Sequence, residues 1–172
     1  MLSKIGLLTE KESQTLTTEL EALKTLAETS NFVIEDDFED MHSKIEFVLT
    51  EKLGDVGKKI HTARSRNDQV LVAIHLYLKK EISEIKSLSL DFFNLLMELA
   101  ENHQNDLMPG YTHFQVAMPS SFGLWFSAYA ESLIDDLTLL NAAQKIVDQN
   151  PMGSAAGYGS SFPIDREETT QL

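Results

Sequence analysis

The sequence predicts an all-α protein in which long helices pack side by side as a bundle. No glycine or proline interrupts the chain between Gly57 and Pro109, which favours helix because strands need frequent turns. A helix of about 35 residues would be about 50 Å long, so it requires neighbours of similar length. Within this run, apolar residues recur at a mean spacing of about 3.5 residues, the period of helices packed lengthwise: Leu71, Ile74, Leu78, Ile82, Ile85, Leu88, Phe92, Leu95 and Leu99.

Two shorter helices are predicted before this run. Thr9 and Glu12 fit a capping box, in which each side chain satisfies an exposed amide of the other residue, so a first helix is expected to follow Thr9. A second helix is expected to begin near the acidic run at residues 35–37, since negative charge favours a helix N-terminus. Phe38 is expected on its apolar face, and Gly54 is expected to end it.

The second half of the chain is predicted to contain one more long helix. Residues 108–119 are predicted to form a loop rich in polar and aromatic side chains. Ser120 or Ser121 is expected to cap the helix that follows, which should reach about Asp148. Several glycines punctuate residues 150–163, and this predicts a further loop.

Two domain parts are predicted, with the boundary after Arg66. Residues 1–66 are expected to form part of an N-terminal helical domain, and residues 67–172 part of a central long-helix bundle domain. Residues 167–172 are typical of a helix that has just begun, without a terminating signal. The chain is therefore predicted to be an internal piece of a longer protein.

Composition excludes several classes of protein. The chain has 172 residues, 42% of them hydrophobic, which is typical of a folded globular protein. Its formal net charge of −13 opposes general binding to nucleic acid or to anionic membranes. It has no cysteine, hence no disulfide or thiolate site, and no apolar stretch approaches the roughly 20 residues that span a bilayer. A cytoplasmic protein that binds neither nucleic acid nor membrane is expected.

Residues 58–68 form the first candidate site. The exposed amides at the start of the long helix, together with nearby guanidinium and hydroxyl groups, are suited to bind a carboxylate or phosphate. The alternative is that Asn67 or Asp68 merely caps the helix while the basic side chains pair with acidic surface groups. Four basic residues lie directly before the helix: Lys58, Lys59, Arg64 and Arg66.

Residues 109–115 form the second candidate site, because they contain His113 beside Thr112. A loop histidine titrates near neutral pH, and the threonine hydroxyl adds a donor and an acceptor, although a lone loop histidine is often only structural. Asp40 and His42 near the start of the second helix either contribute to a site or act as a cap and a surface residue. The five histidines lack the spacing H-x-x-x-H, so no metal site is predicted.

Four stretches of the sequence resemble one family, in the right order and across nearly the whole chain. H-T-A-R-S-R-N-D-Q at residues 61–69 resembles the H-T-x-R-S-R-N-D-Q signature of the argininosuccinate lyases, within the fumarase/aspartase superfamily. G-Y-T-H-F-Q at residues 110–115 is similar to the second motif of that family, G-Y-T-H-x-Q. Residues 151–157 with 164–166, and residues 39–42, resemble two further stretches.

The resemblance implies a fold, an activity and an assembly. The fold is a long-helix bundle that assembles as a homotetramer, with each active site shared between subunits. The activity is the β-elimination of argininosuccinate to arginine and fumarate, a step of arginine biosynthesis that uses no cofactor. Removing a proton next to a carboxylate builds a dianionic intermediate, which preorganised hydrogen-bond donors must stabilise.

The resemblance also assigns roles to residues of the first and fourth motifs. Ser65, Arg66 and Asn67 match positions expected to bind the succinyl carboxylates of the substrate. Asp40 and His42 match positions that are plausible contacts of the same substrate.

Residues of the second motif receive the catalytic roles. Thr112 matches a substrate-binding and catalytic threonine, and His113 matches the active-site histidine assigned to proton transfer. Gln115 matches a position that supports the site. Val116 and Met118 stand where many relatives have polar residues, so the contacts that surround the site are expected to differ there.

One family element does not occur in this sequence. The mobile loop G-S-S-x-M-P-x-K-x-N supplies a serine and a lysine to catalysis in the family, and no such stretch is present. The 172-residue chain is therefore expected to be inactive alone.

Three other interpretations are left open by the sequence. In the first, the chain belongs to another lyase of the superfamily, such as adenylosuccinate lyase, fumarase or aspartase. Alternatively it is a non-catalytic helical protein, as the delta-crystallins of the lens are, or an oligomerisation module only.

Overall fold

The computed structural model describes residues 1–153 and 155–172; Ser154, which falls in the third resembling stretch, lies outside the described residues. The chain forms two units, one of Met1–Ala73 with Asn150–Leu172 and one of Ile74–Gln149. The domain boundary expected after Arg66 stays a prediction.

Most of the described chain is helical, which confirms the predicted helical fold. The elements in chain order are α1 (Glu10–Glu28), α2 (Met41–Leu53), α3 (Asp55–Lys58), α4 (Arg66–Asn102), β1 (Leu107–Thr112), β2 (Gln115–Ser121), α5 (Phe122–Val147) and α6 (Arg166–Gln171), with short 3-10 turns at Lys59–His61 and Ala156–Tyr158.

The first unit packs around four buried leucines, Leu8, Leu16, Leu23 and Leu49. Leu16 and Leu23 lie about two turns apart on α1, so both face the same side of the helix. The predicted capping box is confirmed at the start of α1. The amide of Glu12 donates to Oγ1 of Thr9 at 3.2 Å, and the amide of Thr9 donates to Oε2 of Glu12 at 2.8 Å.

Helix α2 begins later than the sequence suggests. Its N-cap is Asp40, whose carboxylate accepts a hydrogen bond from the amide of Ser43 at 2.8 Å and so satisfies an amide without an intrahelical partner. The expectation that Phe38 lies on the apolar face of this helix is wrong, because Phe38 precedes the cap. Its ring packs against Phe47, with 5.3 Å between the centroids. Gly54 ends the helix as predicted, with a φ of 59°.

Two long antiparallel helices dominate the second unit. Helix α4 has 37 residues and α5 has 26, so the prediction of long neighbouring helices is confirmed. Near one end of the pair, Nζ of Lys86 donates to Oε1 of Gln144 at 2.8 Å. Near the other end, a Cβ atom on Gly123 would lie 2.6 Å from Cα of Gln104 and 2.7 Å from the carbonyl oxygen of Ala100. Only glycine therefore permits the approach of the two backbones there.

Residues 108–119 lie within a β-hairpin, so the predicted loop is wrong. Strands β1 and β2 pair antiparallel, and Thr112 pairs with Gln115. The two residues between them, His113 and Phe114, have φ values of 50° and 62°, both positive as in a type I′ turn. The sequence did not indicate the hairpin because it contains Pro109 and Pro119, and proline inside a strand pattern argues against a strand. Proline is tolerated in edge strands, and both strands of this two-stranded sheet are edges.

The hairpin leads directly into α5. Oγ of Ser121 accepts a hydrogen bond from the amide of Leu124 at 3.1 Å, which confirms one of the two predicted caps. Across the residues that the structure describes, none of the helices is long and apolar enough to cross a membrane.

Candidate active site

The start of α4 is closed by a reciprocal cap. The amide of Ser65 donates to Oδ2 of Asp68 at 2.8 Å, and the amide of Asp68 faces Oγ of Ser65 at 3.4 Å. Asn67 lies between them on the first helical turn and is exposed. The first turn of α4 therefore has a fixed geometry and presents one exposed amide side chain beside the positive end of the helix dipole.

Arg66 is held by side chains of α2 and α4. Its Nη1 donates to Oε1 of Gln69 at 2.7 Å and to Oε1 of Glu46 at 3.2 Å. Its Nη2 donates to Oγ of Ser43 at 3.2 Å, and its Nε lies 3.3 Å from Oδ2 of Asp40. Every nitrogen of the guanidinium thus has a partner, so its orientation is fixed before any ligand arrives.

The two lysines of the basic segment also pair within the chain. Nζ of Lys58 donates to Asp55 at 2.8 Å, and Nζ of Lys59 donates to Glu12 at 2.6 Å. For these two lysines, the contacts agree with the alternative that the basic side chains pair with acidic surface groups. Like Arg66, the two lysines are thus engaged by carboxylates, and the positive end of the α4 helix dipole remains at the start of the helix.

Arg64 connects the first motif with the third resembling stretch. Its Nη1 donates to the carbonyl oxygen of Met152 at 2.8 Å, and the amide of Ala156 donates to the carbonyl of Ala63 at 3.1 Å. Its Nη2 is buried without a hydrogen-bond partner among the described residues, beside a cavity of about 340 Å³. The glycine-rich segment is thus fastened to the residues that precede α4.

Asp40 links the fourth motif to Arg66. The pKa of its carboxyl lies below the ordinary value chiefly because the amide of Ser43 donates to it, while partial burial opposes the shift and the charges of Arg66 and His42 add to it. Asp40 is therefore an ionised cap. His42 is half-buried two positions further along.

The residues of the second motif lie together at the tip of the hairpin. Oγ1 of Thr112 and Nδ1 of His113 are 3.0 Å apart, and Gln115 pairs with Thr112 across the turn. All three residues are exposed. Because Nδ1 is engaged with the threonine, Nε2 is the ring nitrogen left to exchange a proton with a ligand.

The described residues contain no group of three acidic or histidine side chains placed to hold a metal ion.

A family profile described as "Lyase" matches residues 1–172, the whole chain. The chain belongs to this lyase family. The earlier resemblance is confirmed by curated relatives named argininosuccinate lyase. The relative from Phocaeicola vulgatus is 57% identical over all 172 residues, and those from Bacteroides fragilis and Parabacteroides distasonis are 56% and 54% identical. The chain spans 38–39% of the length of these relatives.

Solved structures of lyases share the fold of this lyase-family chain. An EDDS lyase variant with bound fumarate superposes with a TM-score of 0.86 at 26% identity, over 99% of this chain and 33% of that one. A fumarate lyase from Mesorhizobium sp. BNC1 superposes with a TM-score of 0.66 at 22% identity, over 85% of this chain and 34% of that one, which supports the fold alone.

The structure brings the predicted site residues of this lyase-family chain together in two groups. The first unit holds Asp40, His42, Ser65, Arg66 and Asn67, and the second holds Thr112, His113 and Gln115. Their roles toward a substrate stay predictions.

Sequence reasoning assigned no role to Glu46 and Gln69, which contact Arg66, or to His61, which contacts Glu46. One signal was available. Asp40, Ser43 and Glu46 recur every third residue, which places them on one face of α2.

Proposed function

We propose that this chain provides carboxylate-binding and proton-transfer groups to an argininosuccinate lyase, which cleaves argininosuccinate to arginine and fumarate. The observation that carries the proposal is 54–57% identity over the whole chain with proteins of that name. The EDDS lyase structure with bound fumarate, at 26% identity, supports fumarate as the product. We place the reaction in arginine biosynthesis and in the cytoplasm.

The start of α4 is suited to hold the succinyl part of the substrate. The reaction removes a proton from the carbon next to a carboxylate, builds a dianion and then breaks the C–N bond, which leaves fumarate. Negative charge grows on the carboxylate, so donors fixed in advance stabilise the transition state more than the ground state. The side-chain amide of Asn67 and the hydroxyl of Ser65 supply such donors beside the positive end of the α4 dipole, and Arg66, which Asp40 keeps oriented, adds its charge.

The hairpin tip is suited to proton transfer. Thr112 engages Nδ1 of His113 at 3.0 Å, which fixes the ring and leaves Nε2 for the substrate. An imidazole can both accept and donate a proton, as a group that shuttles a proton requires. We propose that Gln115, and His42 of the first unit, also contact the substrate.

We also propose that the complete lyase is a homotetramer with shared active sites. Helices α4 and α5 leave many large apolar side chains exposed, among them Leu76, Leu88, Leu124 and Leu139. Apolar surface of this extent on a folded chain marks an interface. Helices whose apolar residues recur about every 3.5 residues bury such surface by packing lengthwise against further helices.

The proposal is tested in a chimera, because the chain spans only 38–39% of the length of its relatives. The 172 residues replace the matching stretch of the argininosuccinate lyase of Phocaeicola vulgatus, and fumarate release from argininosuccinate is followed by ultraviolet absorbance. We expect turnover comparable with that of the parent enzyme. A chimera with native helical content and assembly that releases no fumarate would contradict the proposal.

A further inference from the structure

A side-chain cluster beside the candidate site is organised around one carboxylate oxygen, Oε1 of Glu46. It accepts from Nδ1 of His61 at 2.7 Å, from Nε2 of Gln69 at 3.1 Å and from Nη1 of Arg66 at 3.2 Å. The side chain of Glu46 is only 28% exposed. Three partners on one half-buried oxygen form a closed network, and such networks restrict the rotamers of all their members.

The cluster joins three separate stretches of the first unit. Glu46 lies on α2, His61 ends the 3-10 turn and begins the first motif, and Gln69 lies in the first turns of α4. Gln69 closes the ring, because its Oε1 accepts from Nη1 of Arg66 at 2.7 Å while its amide nitrogen donates to Glu46. One carboxylate therefore fixes the start of α4 against α2.

Glu46 differs in kind from the other two α2 contacts of Arg66. Asp40 serves as the N-cap of α2 and Ser43 is a neutral acceptor, so neither is dedicated to the guanidinium. Burial raises the pKa of Glu46, but the hydrogen bonds from His61 and Gln69 and the charges of His61 and Arg66 outweigh it, and the pKa lies below the ordinary value. The carboxylate of Glu46 is thus ionised, and its hydrogen bond from the guanidinium of Arg66 is charge-assisted.

We propose that Glu46 is a positioning residue of the lyase: it orients Arg66 and the first turn of α4 toward the substrate carboxylate without contacting the substrate. The inference rests on the proposed function. A planar guanidinium binds a carboxylate best in one orientation, so loss of Glu46, which contacts both Arg66 and Gln69, lets the guanidinium shift away from that orientation while it stays charged. Misplacing a binding group by about 1 Å costs on the order of 10²-fold in rate.

The test uses Glu46→Gln in the active chimera, because glutamine keeps the size and one acceptor but removes the charge. Glu51→Gln, an exposed glutamate on the same helix, is the matched control. We expect kcat/KM for argininosuccinate to fall about 10- to 100-fold for Glu46→Gln, mostly through a higher KM, since Arg66 binds the carboxylate in the ground state as well. Glu51→Gln should leave both constants unchanged.

A double-mutant cycle separates positioning from a merely structural role. If Glu46 acts through Arg66, then Glu46→Gln should cost little once Arg66→Gln is present, so the two effects should not add. If Glu46→Gln fails to fold, Gln69→Met opens the same ring from α4 and should raise KM in the same direction.

The outcomes distinguish this inference from the proposed function. A folded Glu46→Gln chimera with unchanged kcat/KM, or a fully additive cycle, would overturn the positioning role and leave the lyase activity intact. A chimera that is inactive with the unmodified 172-residue chain would overturn the proposed function, and this inference would fail with it.

Discussion

The two groups of predicted site residues are held in opposite ways. Around Arg66, four side chains converge, from the N-cap of α2, α2 itself and α4, and every guanidinium nitrogen has a partner. At the hairpin tip, the side chain of His113 forms one hydrogen bond among the described residues, with Thr112, and the adjacent Phe114 is fully exposed. The first group is suited to hold a fixed charge in place, and the second to move a proton.

The two units also differ in where their apolar side chains lie. The first unit buries four leucines in one core, with Leu49 at 0% exposed. In the second unit, helical leucines such as Leu88 remain 61% exposed. The first unit therefore gains stability from its own core, whereas the second leaves apolar surface that the proposed tetramer would bury.

The largest effect is expected from His113→Asn in the chimera. Asparagine keeps a polar side chain in the turn, where it tolerates positive φ, but cannot accept and release a proton. We expect kcat to fall about 10²- to 10⁴-fold, the usual contribution of a general acid or base, with no loss of thermal stability.

His103→Asn is the matched control for that variant. Nδ1 of His103 likewise forms a hydrogen bond with a neighbouring side chain, Oδ2 of Asp106 at 2.7 Å, and its ring lies beside that of Phe126, but His103 lies outside the four motifs. Its replacement should leave turnover unchanged. Unchanged turnover in His113→Asn as well would favour a structural role for the hairpin and remove the distinction between the two groups.

A smaller effect is expected on stability, and it should differ between the units. Leu49→Ala removes a fully buried side chain from the leucine core and should lower the free energy of unfolding by about 2–5 kcal/mol. Leu88→Ala removes an exposed side chain and should change it by less than about 1 kcal/mol. Urea unfolding of the 172-residue chain measures both values.

Leu88→Ala should instead weaken self-association. Sedimentation across a range of concentrations is expected to show a smaller share of oligomer than in the unmodified chain, while Leu49→Ala retains association at urea concentrations where it remains folded. Equal losses of stability in the two variants would mean that both leucines belong to cores of the same kind.

The sequence predicted the fold well where local signals act over several residues. The uninterrupted run of α4, the capping box at Thr9 and the cap at Ser121 each rest on contacts within one or two turns, so they can be inferred without tertiary structure. The hairpin could not be inferred in this way. Its pairing joins Pro109 to Pro119, and no local pattern indicates that a strand lacks a second neighbour.

The candidate site was predicted in its identities but not in its contacts. The motif positions Arg66 and His113 could be named from resemblance alone. That Arg66 would contact Glu46, which His61 and Gln69 also contact, depends on how α2 packs beside the start of α4, which is a tertiary property. Residue spacing shows which residues share one face of α2, but it does not show which residue of another helix that face contacts.

The smallest effect is expected from a lower pH, which should reduce the free energy of unfolding. It bears on the comparison of the two units because ion pairs stabilise the first unit. The hydrogen bonds from Lys59 and from the amide of Thr9 lower the pKa of Glu12 from 4.5 to about 2. A carboxyl whose pKa is lower in the folded state stabilises the fold above the unfolded value, and this contribution is lost as the pH falls through the folded value. The free energy of unfolding should therefore decline between about pH 4.5 and pH 2.

Glu12→Gln tests this contribution, since glutamine retains the capping box but does not titrate. Urea unfolding at a series of pH values should give a shallower decline in this variant than in the unmodified chain. Glu21→Gln, an exposed position on the same helix, should leave the slope as it is. An unchanged slope in Glu12→Gln would show that Lys59 does not hold Glu12 in solution. The start of α1 would then be fastened by the cap alone, as lightly as the hairpin holds His113.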